Sequence, residues 1–418
     1  MKAAISIILL ALLVSPAMAE PRQVSEYEWQ GVGRIVAIGD IHGDYDRYIA
    51  TLEQAGLVDS KGRWSGGATH LVQLGDIPDR GPDTLRIIEH IDKLARQAKR
   101  KGGMVHGLIG NHEVMNVTGD LRYVHPGEYE AFVTRKSEGL QDRHFEAYLA
   151  RLEESDPEAF ANLPEDFRVQ FNQQYPLGWI EHQQAWNPAW NPKAEYADWV
   201  MERKVAVQVN GAVFLHGGLS GFYCQNSLQS LTDMAREQLS TYDPASPGIL
   251  EDEFGPFWYR GLSGGEPQAP LETVEAILAQ HEAQHIVVGH TPTMGVIWPR
   301  YDGRVIQADT GISEYYGGHL GYLEITPEGL FAGYSWGKLP LPKTDAEAIG
   351  YLQDVIAQDP ENPYLTKRLE ELTRPAEPAA VDAGEGEAGT GDGPVDGEDG
   401  EEEGVEGRRV PPICGISQ

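Results

Sequence analysis

Arg34-Ile35-Val36-Ala37-Ile38-Gly39-Asp40-Ile41-His42-Gly43-Asp44 is the stretch on which the fold reading turns. Arg34 to Ile38 is a short, β-branched apolar run, which reads as a buried strand. It breaks at Gly39 into a loop that holds Asp40 and His42 two residues apart. The same arrangement recurs twice. Thr69 to Leu74 runs into Gly75-Asp76-Ile77-Pro78-Asp79-Arg80-Gly81, and Met104 to Ile109 into Gly110-Asn111-His112-Glu113. Helical patterns lie between, from Tyr45 to Ala55 and from Pro82 to Lys101, the second with Pro at its first turn. Strands separated by helices imply βαβ units, an α/β class and a largely parallel sheet. Ligand-type residues therefore follow the C-terminal ends of three successive strands, where open α/β sheets bind ligands.

Outward from this core, residues 114–201 turn polar, aromatic and mostly helical, and read as an insertion bordering the site. Trp179, Trp186, Trp190 and Trp199 read as its packing. Strands resume at Arg203–Val209, turn at Asn210-Gly211, and continue as Ala212–Leu215, a strong hairpin signal. That run delivers His216-Gly217-Gly218. Next, His285–Val288 delivers Gly289-His290-Thr291, and Val305–Ala308 delivers Asp309-Thr310-Gly311, read as a turn near the site. A closing hairpin (320–325, 330–335) and two outer helices before Arg374 complete the body. Gly261-Leu262-Ser263-Gly264-Gly265 matches a nucleophile pattern but lacks a strand before it and a helix after it, so it is set aside. Tyr315 and Tyr316 read as packing residues, with lining of a phosphate pocket as the alternative.

The polar residues at the strand ends form a set. Asp40 and His42 can reach one divalent cation from a single turn. Asn111, His216 and His290 can surround a second, and Asp76 can bridge both. A shared carboxylate offsets the repulsion of two close dications. Mixed carboxylate, amide and imidazole ligation suits Mn, Fe or Zn better than Ca or Mg, with Mn first among them. Two such ions would activate a water against a phosphate. Arg80 can grip that phosphate through paired hydrogen bonds. His112 is placed to protonate the leaving oxygen, and Asp79 to hold its imidazole protonated.

Taken together, Gly-Asp-Ile-His-Gly, Gly-Asp-Ile-Pro-Asp-Arg-Gly, Gly-Asn-His-Glu, His-Gly-Gly and Gly-His-Thr resemble the calcineurin-like metallophosphoesterases. The Asp-Arg-Gly and Gly-Asn-His-Glu forms resemble the phosphoprotein phosphatase (PPP) branch. Gly-Asn-His-Glu-Val-Met-Asn with residues 119–124 is similar to its Shewanella-like group. The resemblance spans roughly Arg34 to Trp336 and implies two mixed sheets packed as a sandwich, flanked by helices. It implies one metal on Asp40, His42 and Asp76, and a second on Asp76, Asn111, His216 and His290. It further implies His112 and Asp79 as the acid pair, and Arg80 as phosphate ligand. A second phosphate-binding Arg is implied between the last two His motifs, where Arg260 in Phe257-Trp258-Tyr259-Arg260 is the candidate. The implied activity is phosphomonoester hydrolysis, most simply of phosphorylated proteins, with phosphotyrosine within range. A symmetrical dinucleoside polyphosphate hydrolase shares these motifs, although export argues against it. An inactive binding scaffold conflicts with the complete ligand set.

Charge and address complete the reading. The 418 residues hold 33 Lys and Arg against 64 Asp and Glu, a net charge of −31. Such a balance disfavours nucleic acid as a partner. The stretch 375–407 carries twelve acidic residues and neither Lys nor Arg, so residues 375–418 are expected to be a disordered, Gly-rich acidic tail after a 20–374 catalytic domain. Lys2, an apolar run from Ala3 to Val14, and an ending at Ala17-Met18-Ala19 have the parts of a cleavable export signal, residues 1–19. The expected location is periplasmic or secreted, with no membrane attachment after cleavage. Export makes a bond between Cys224 and Cys414 chemically possible. Two unpaired thiols remain the alternative, and oligomeric state is open.

Overall fold

The structure is a computed structural model that describes residues 21–374 and 409–414. The export signal and most of the acidic tail lie outside the described residues. The strands in chain order are β1 (Arg22–Gln23), β2 (Glu28–Gln30), β3 (Ile35–Ile38), β4 (His70–Gln73), β5 (Met104–Gly107), β6 (Ala206–Val209), β7 (Ala212–Leu215), β8 (His285–Val288), β9 (Trp298–Arg300), β10 (Val305–Gln307), β11 (Gly321–Thr326), β12 (Gly329–Tyr334) and β13 (Gly337–Pro340). They form a seven-stranded sheet, β1-β2-β6-β7-β8-β10-β9, and a six-stranded sheet, β13-β12-β11-β3-β4-β5. Pairing β3–β4–β5 is parallel, as the βαβ reading requires, and so is β7–β8–β10. The hairpins β6–β7 and β11–β12 are antiparallel, which makes both sheets mixed.

Alternation along the strands explains why two sheets pack. Ile35 and Ala37 of β3, with Val72 of β4, face Val207, Phe214, Val287 and Ile306 of the opposing sheet. Val36, Ile38 and Leu71 point the other way, against Leu52, Ile87 and Ile91 of the helices Tyr45–Gln54 and Thr84–Lys99. A strand covered on both faces must be apolar at every position, and β3 is. Each such Ile contributes roughly 1.5–3 kcal/mol by burial. The helices Asp345–Gln358 and Pro363–Thr373 cover the sandwich from outside through Tyr351, Leu352, Val355 and Leu365.

Several details differ from the sequence reading. Gly-Asn-His-Glu is the first turn of a helix, Asn111–Thr118, rather than a loop ahead of the insertion. The reason is local: Gly110 caps it, and the Glu113 carboxylate accepts the Gly110 N–H at 2.7 Å. Strands β1, β2, β9 and β13 are two to four residues long, and periodicity over so few residues carries no signal. Residues 409–414, counted with the tail, are anchored to the body. Cys414 is bonded to Cys224, Arg409 Nη2 donates to Asp252 Oδ1 at 2.5 Å, and Cys414 N donates to Thr273 Oγ1 at 3.3 Å.

The disulfide joins positions 190 residues apart. In the chain-entropy account, a loop of that size is worth on the order of 5 kcal/mol to the folded state. Cys414→Ser is therefore expected to lower the urea midpoint by an amount equivalent to 2–5 kcal/mol, about the usual span for a native disulfide. Dithiothreitol should weaken the unmodified protein to a similar extent and leave the variant unchanged.

Candidate active site

Loops from the C-terminal ends of both sheets meet at one edge of the sandwich. Asp40 and His42 follow β3, Asp76, Asp79 and Arg80 follow β4, and Asn111 and His112 follow β5. His216, His290 and Asp309 follow β7, β8 and β10 of the other sheet. All of these except Arg80 are buried. Ile41 N and His42 N donate to Asp76 O at 2.9 and 3.0 Å, and Gly43 N to Ile77 O at 2.7 Å, zipping the first two loops together. At Gly75 (φ 99°) a Cβ would stand 2.6 Å from Gly110 N, so the second and third loops can meet only if that residue is glycine. His42, Asp76, Asp79, Arg80 and His290 adopt left-handed φ values of 47–71°, strain of the kind that accumulates where a site dictates the backbone.

Asp76 lies at the centre. His112 N donates to its Oδ1 at 2.9 Å. Its Oδ2 is 3.2 Å from His216 Nε2, and 3.9 Å from both His42 Nε2 and His112 Nε2. Burial pushes this carboxyl up, but His216, His112 and His42 outweigh burial and hold it well below the usual range. Asp40 accepts His290 N–H at 3.1 Å and is pushed well up, first by burial and then by Asp309 and Asp76.

The donor set fits divalent cations. His216 Nδ1 donates to Leu74 O at 2.8 Å, and His290 Nε2 donates to Trp258 O at 3.2 Å. The remaining nitrogens, His216 Nε2 and His290 Nδ1, then present bare lone pairs to each other at 3.1 Å. Asn111 Oδ1 stands 2.9 Å from the same His216 nitrogen. Two imidazole lone pairs, an amide oxygen and a carboxylate oxygen converging without a proton call for a cation between them. On the other side, His42 Nδ1 is 3.2 Å from Pro78 O, which leaves its Nε2 bare towards Asp76. Burial, followed by the His112 and Arg80 charges, pushes His42 down to about 3, so it stays a neutral ligand. Two groups of metal-ligating atoms result, His42–Asp76–His112 and Asp76–His216–His290, and Asp76 belongs to both.

His112 lies in the first group by position, but its state differs from that of a ligand. Its Nδ1 is 2.5 Å from Asp79 Oδ2. Burial acts to lower its pKa, yet Asp76 and Asp79 prevail and raise it, so the imidazole tends to keep its proton. An imidazolium has no lone pair for a metal and does have a proton to give. Asp79 is itself fixed, by Asn116 Nδ2 on Oδ1 at 2.9 Å and by its own N–H on Glu128 Oε1 at 2.8 Å.

Arg80 projects beside this cluster, its guanidinium carbon 4.2 Å from the Tyr123 ring centroid and 4.5 Å from that of Tyr315. Arg260 Nη1 donates to His290 O at 2.8 Å and Thr291 Oγ1 at 3.2 Å, which brings the second candidate Arg to the site. Tyr315, read mainly as a packing residue, proves to be more than half exposed and stacked on Arg80. The set-aside Ser263 lies in a turn, without the strand and helix that a nucleophile elbow needs.

Two site residues, Glu113 and Glu128, escaped the sequence reading, while Asp309 was read only as a turn near the site. Glu113 accepts from Asp76 N at 2.9 Å, Ile77 N at 2.7 Å and Gly110 N at 2.7 Å, tying two loops with one carboxylate, and burial pushes it up to about 7. Its place three residues after the helix cap was the available signal. Glu128, from the insertion, also binds Thr84 Oγ1 and is pushed up to about 8 by burial and Asp79. Nothing local in the sequence announces it. Asp309 is buried against Asp40, and burial raises it to about 6.

The chain belongs to the calcineurin-like phosphoesterases, whose family model matches residues 33–294. Within that class, its relatives support the PPP-like branch. It is 30% identical over 302 residues to an uncharacterized protein of Schizosaccharomyces pombe, covering 70% of this chain and 77% of that one. It is 30% identical over 290 residues to Shewanella-like protein phosphatase 2 of Arabidopsis thaliana, covering 67% and 72%. Among solved structures it is similar to a cold-active protein-tyrosine phosphatase of a psychrophilic Shewanella species, with a TM-score of 0.55 and 26% identity, covering 76% of this chain and 83% of that one.

Glu113→Ala would leave three buried N–H groups without an acceptor. A loss of about 3 kcal/mol in unfolding free energy is expected, with weaker metal retention on dialysis because two loops lose their tie. Asp76→Ala should abolish metal content measured by mass spectrometry, since both ligand groups lose their common member. A variant that still held two ions per chain would contradict the shared role of Asp76.

Proposed function

We propose that this phosphoesterase is an exported protein phosphatase that hydrolyses phosphomonoesters, with phosphotyrosine among its substrates and Mn as the first choice of metal over Fe or Zn. The observation that carries the reading is Asp76, shared between His42 on one side and His216 with His290 on the other, with the His112–Asp79 pair within reach of the same carboxylate. Asp40, His42 and Asp76 would hold one ion, and Asp76, Asn111, His216 and His290 the other. Bound there, two divalent ions would neutralise charge on the phosphoryl group and make the attacking water more acidic.

The remaining work falls to the chain's own side chains. Arg80, stacked between Tyr123 and Tyr315, presents a planar fork for two phosphate oxygens. Arg260, held by His290 O and Thr291, offers a second grip. His112 donates the Nε2 proton to the departing oxygen, and Asp79, bonded to Nδ1, keeps the ring oriented and charged. Names of relatives support the protein-phosphatase choice. The Cys224–Cys414 bond supports an oxidising compartment, in keeping with the export signal read in residues 1–19.

A panel of aryl phosphates, phosphopeptides and dinucleoside tetraphosphate with Mn²⁺ tests the substrate class; preference for the dinucleotide would overturn it. His112→Asn is expected to retain metal and lose about 10²–10⁴-fold in kcat on alkyl phosphates. On nitrophenyl phosphate, whose leaving group needs little protonation, the loss should shrink. Equal losses on both would remove His112 from the acid role.

A further inference from the structure

A cavity of about 1100 Å³ opens beside the metal-ligand cluster, running from Arg260 and Thr291 towards the helix Pro363–Thr373. At its far end Arg300 of β9 and Arg368 of that helix enter the same space. Arg368 lies 5.1 Å from the Trp298 ring centroid, and burial together with the like charge of Arg300 pushes it down to about 10. Two cations have thus been brought together in a recess that costs each of them hydration. Among the described residues neither forms an ion pair with a carboxylate; Glu371 acts on Arg368 only from a distance. Arg300 and Ser263 both line this cavity, while Arg300 Nε and the Ser263 hydroxyl are themselves buried without a hydrogen-bond partner. Clustered guanidinium groups are tolerated where an incoming anion offsets their charge.

Position connects this end to the phosphate site. Gly264 and Gly265 are seated between the two arginines: a Cβ on Gly264 would stand 2.6 Å from Arg300 Nη1, and one on Gly265 2.6 Å from Arg260 Cβ. Adjacent Cα atoms are ~3.8 Å apart, so Arg300 Nη1 lies within about 12 Å of Arg260 Cβ. An extended peptide covers that span in about two to four residues. The acidic residues of the cavity are partly engaged elsewhere, Asp120 by Arg122 and Glu251 by the Tyr242 hydroxyl.

We propose that Arg300 and Arg368 form a second anion subsite, which selects phosphopeptides carrying an acidic side chain or second phosphate two to four residues from the scissile ester. The subsite rests on the protein-phosphatase reading above. It explains why two arginines share one end of a recess beside the reaction centre with no carboxylate among the described residues ion-paired to either.

The test is a set of phosphopeptides with Glu or Gln at each of these positions on either side of the phosphoresidue, compared by kcat/KM on the Mn-loaded full chain. The unmodified enzyme should favour the best Glu peptide about tenfold over its Gln twin, through KM, as expected of one charge-assisted hydrogen bond. Arg300→Gln with Arg368→Gln should bring the ratio to about one, and Arg368→Glu should turn preference towards a Lys peptide. Because each ratio is internal to one variant, partial misfolding does not move it. Phosphopeptide turnover without a Glu preference, or a preference that survives the double substitution, overturns the subsite and leaves the phosphatase reading standing. Turnover of aryl phosphate with no turnover of any phosphopeptide overturns that reading, and the subsite with it.

Discussion

Four electron pairs aimed at one another govern this structure. His290 Nδ1, Asn111 Oδ1 and Asp76 Oδ2 stand 3.1, 2.9 and 3.2 Å from His216 Nε2, and the chain fixes the two imidazoles and the carboxylate by occupying their other sides. Backbone carbonyls of Leu74 and Trp258 take the far protons of the two imidazoles, and His112 N takes the far oxygen of Asp76. Such mutual repulsion is costly without a cation. The left-handed turns at Asp76 and His290, the buried Glu113 and the close approach of Gly75 to Gly110 all serve to keep those atoms in place.

That constraint divides what could be read in the sequence from what could not. Ligands announce themselves because each follows an apolar strand and sits in a glycine-flanked turn, a pattern visible over ten residues. Asp40, His42, Asp76, Asn111, His216 and His290 were legible as candidates for this reason; the structure sets their loops at one edge of the sandwich, and its two groups of metal-ligating atoms take in His42, Asp76, His216 and His290 but not Asp40. The parallel β3–β4–β5 core was legible from the same alternation of strand and helix. Supporting residues were not. Glu128 reaches Asp79 from 49 positions away, through a helix whose docking no local pattern encodes. Tyr315 reads as an ordinary aromatic until Arg80 is found against its face. The edge strands β1 and β13 form because neighbours offer backbone partners rather than because their own residues demand it.

The helical insertion has a role beyond bordering the site. It supplies Glu128 to the Asp79 backbone, and it also supplies Tyr123, whose carbonyl accepts Arg80 N at 2.9 Å and whose ring lies against the Arg80 guanidinium. The His112–Asp79 pair and Arg80 are thus steadied by a part of the chain that provides none of the candidate metal ligands. Changes in this insertion can therefore shift Asp79 and Arg80 while the loops carrying the candidate metal ligands stay as they are.

The bond between Cys224 and Cys414 has a consequence of a different kind. It makes His290, Arg260 and Asp309 part of a covalent ring, with the acidic stretch 375–408 as one of its arcs. A protease that cuts this arc opens the ring without dividing the molecule. The cut chain travels as a single species until a reductant separates its pieces, and residues 409–414 stay tethered beside Asp252 and Thr273 meanwhile. With its backbone severed in this arc, the protein would still be one molecule.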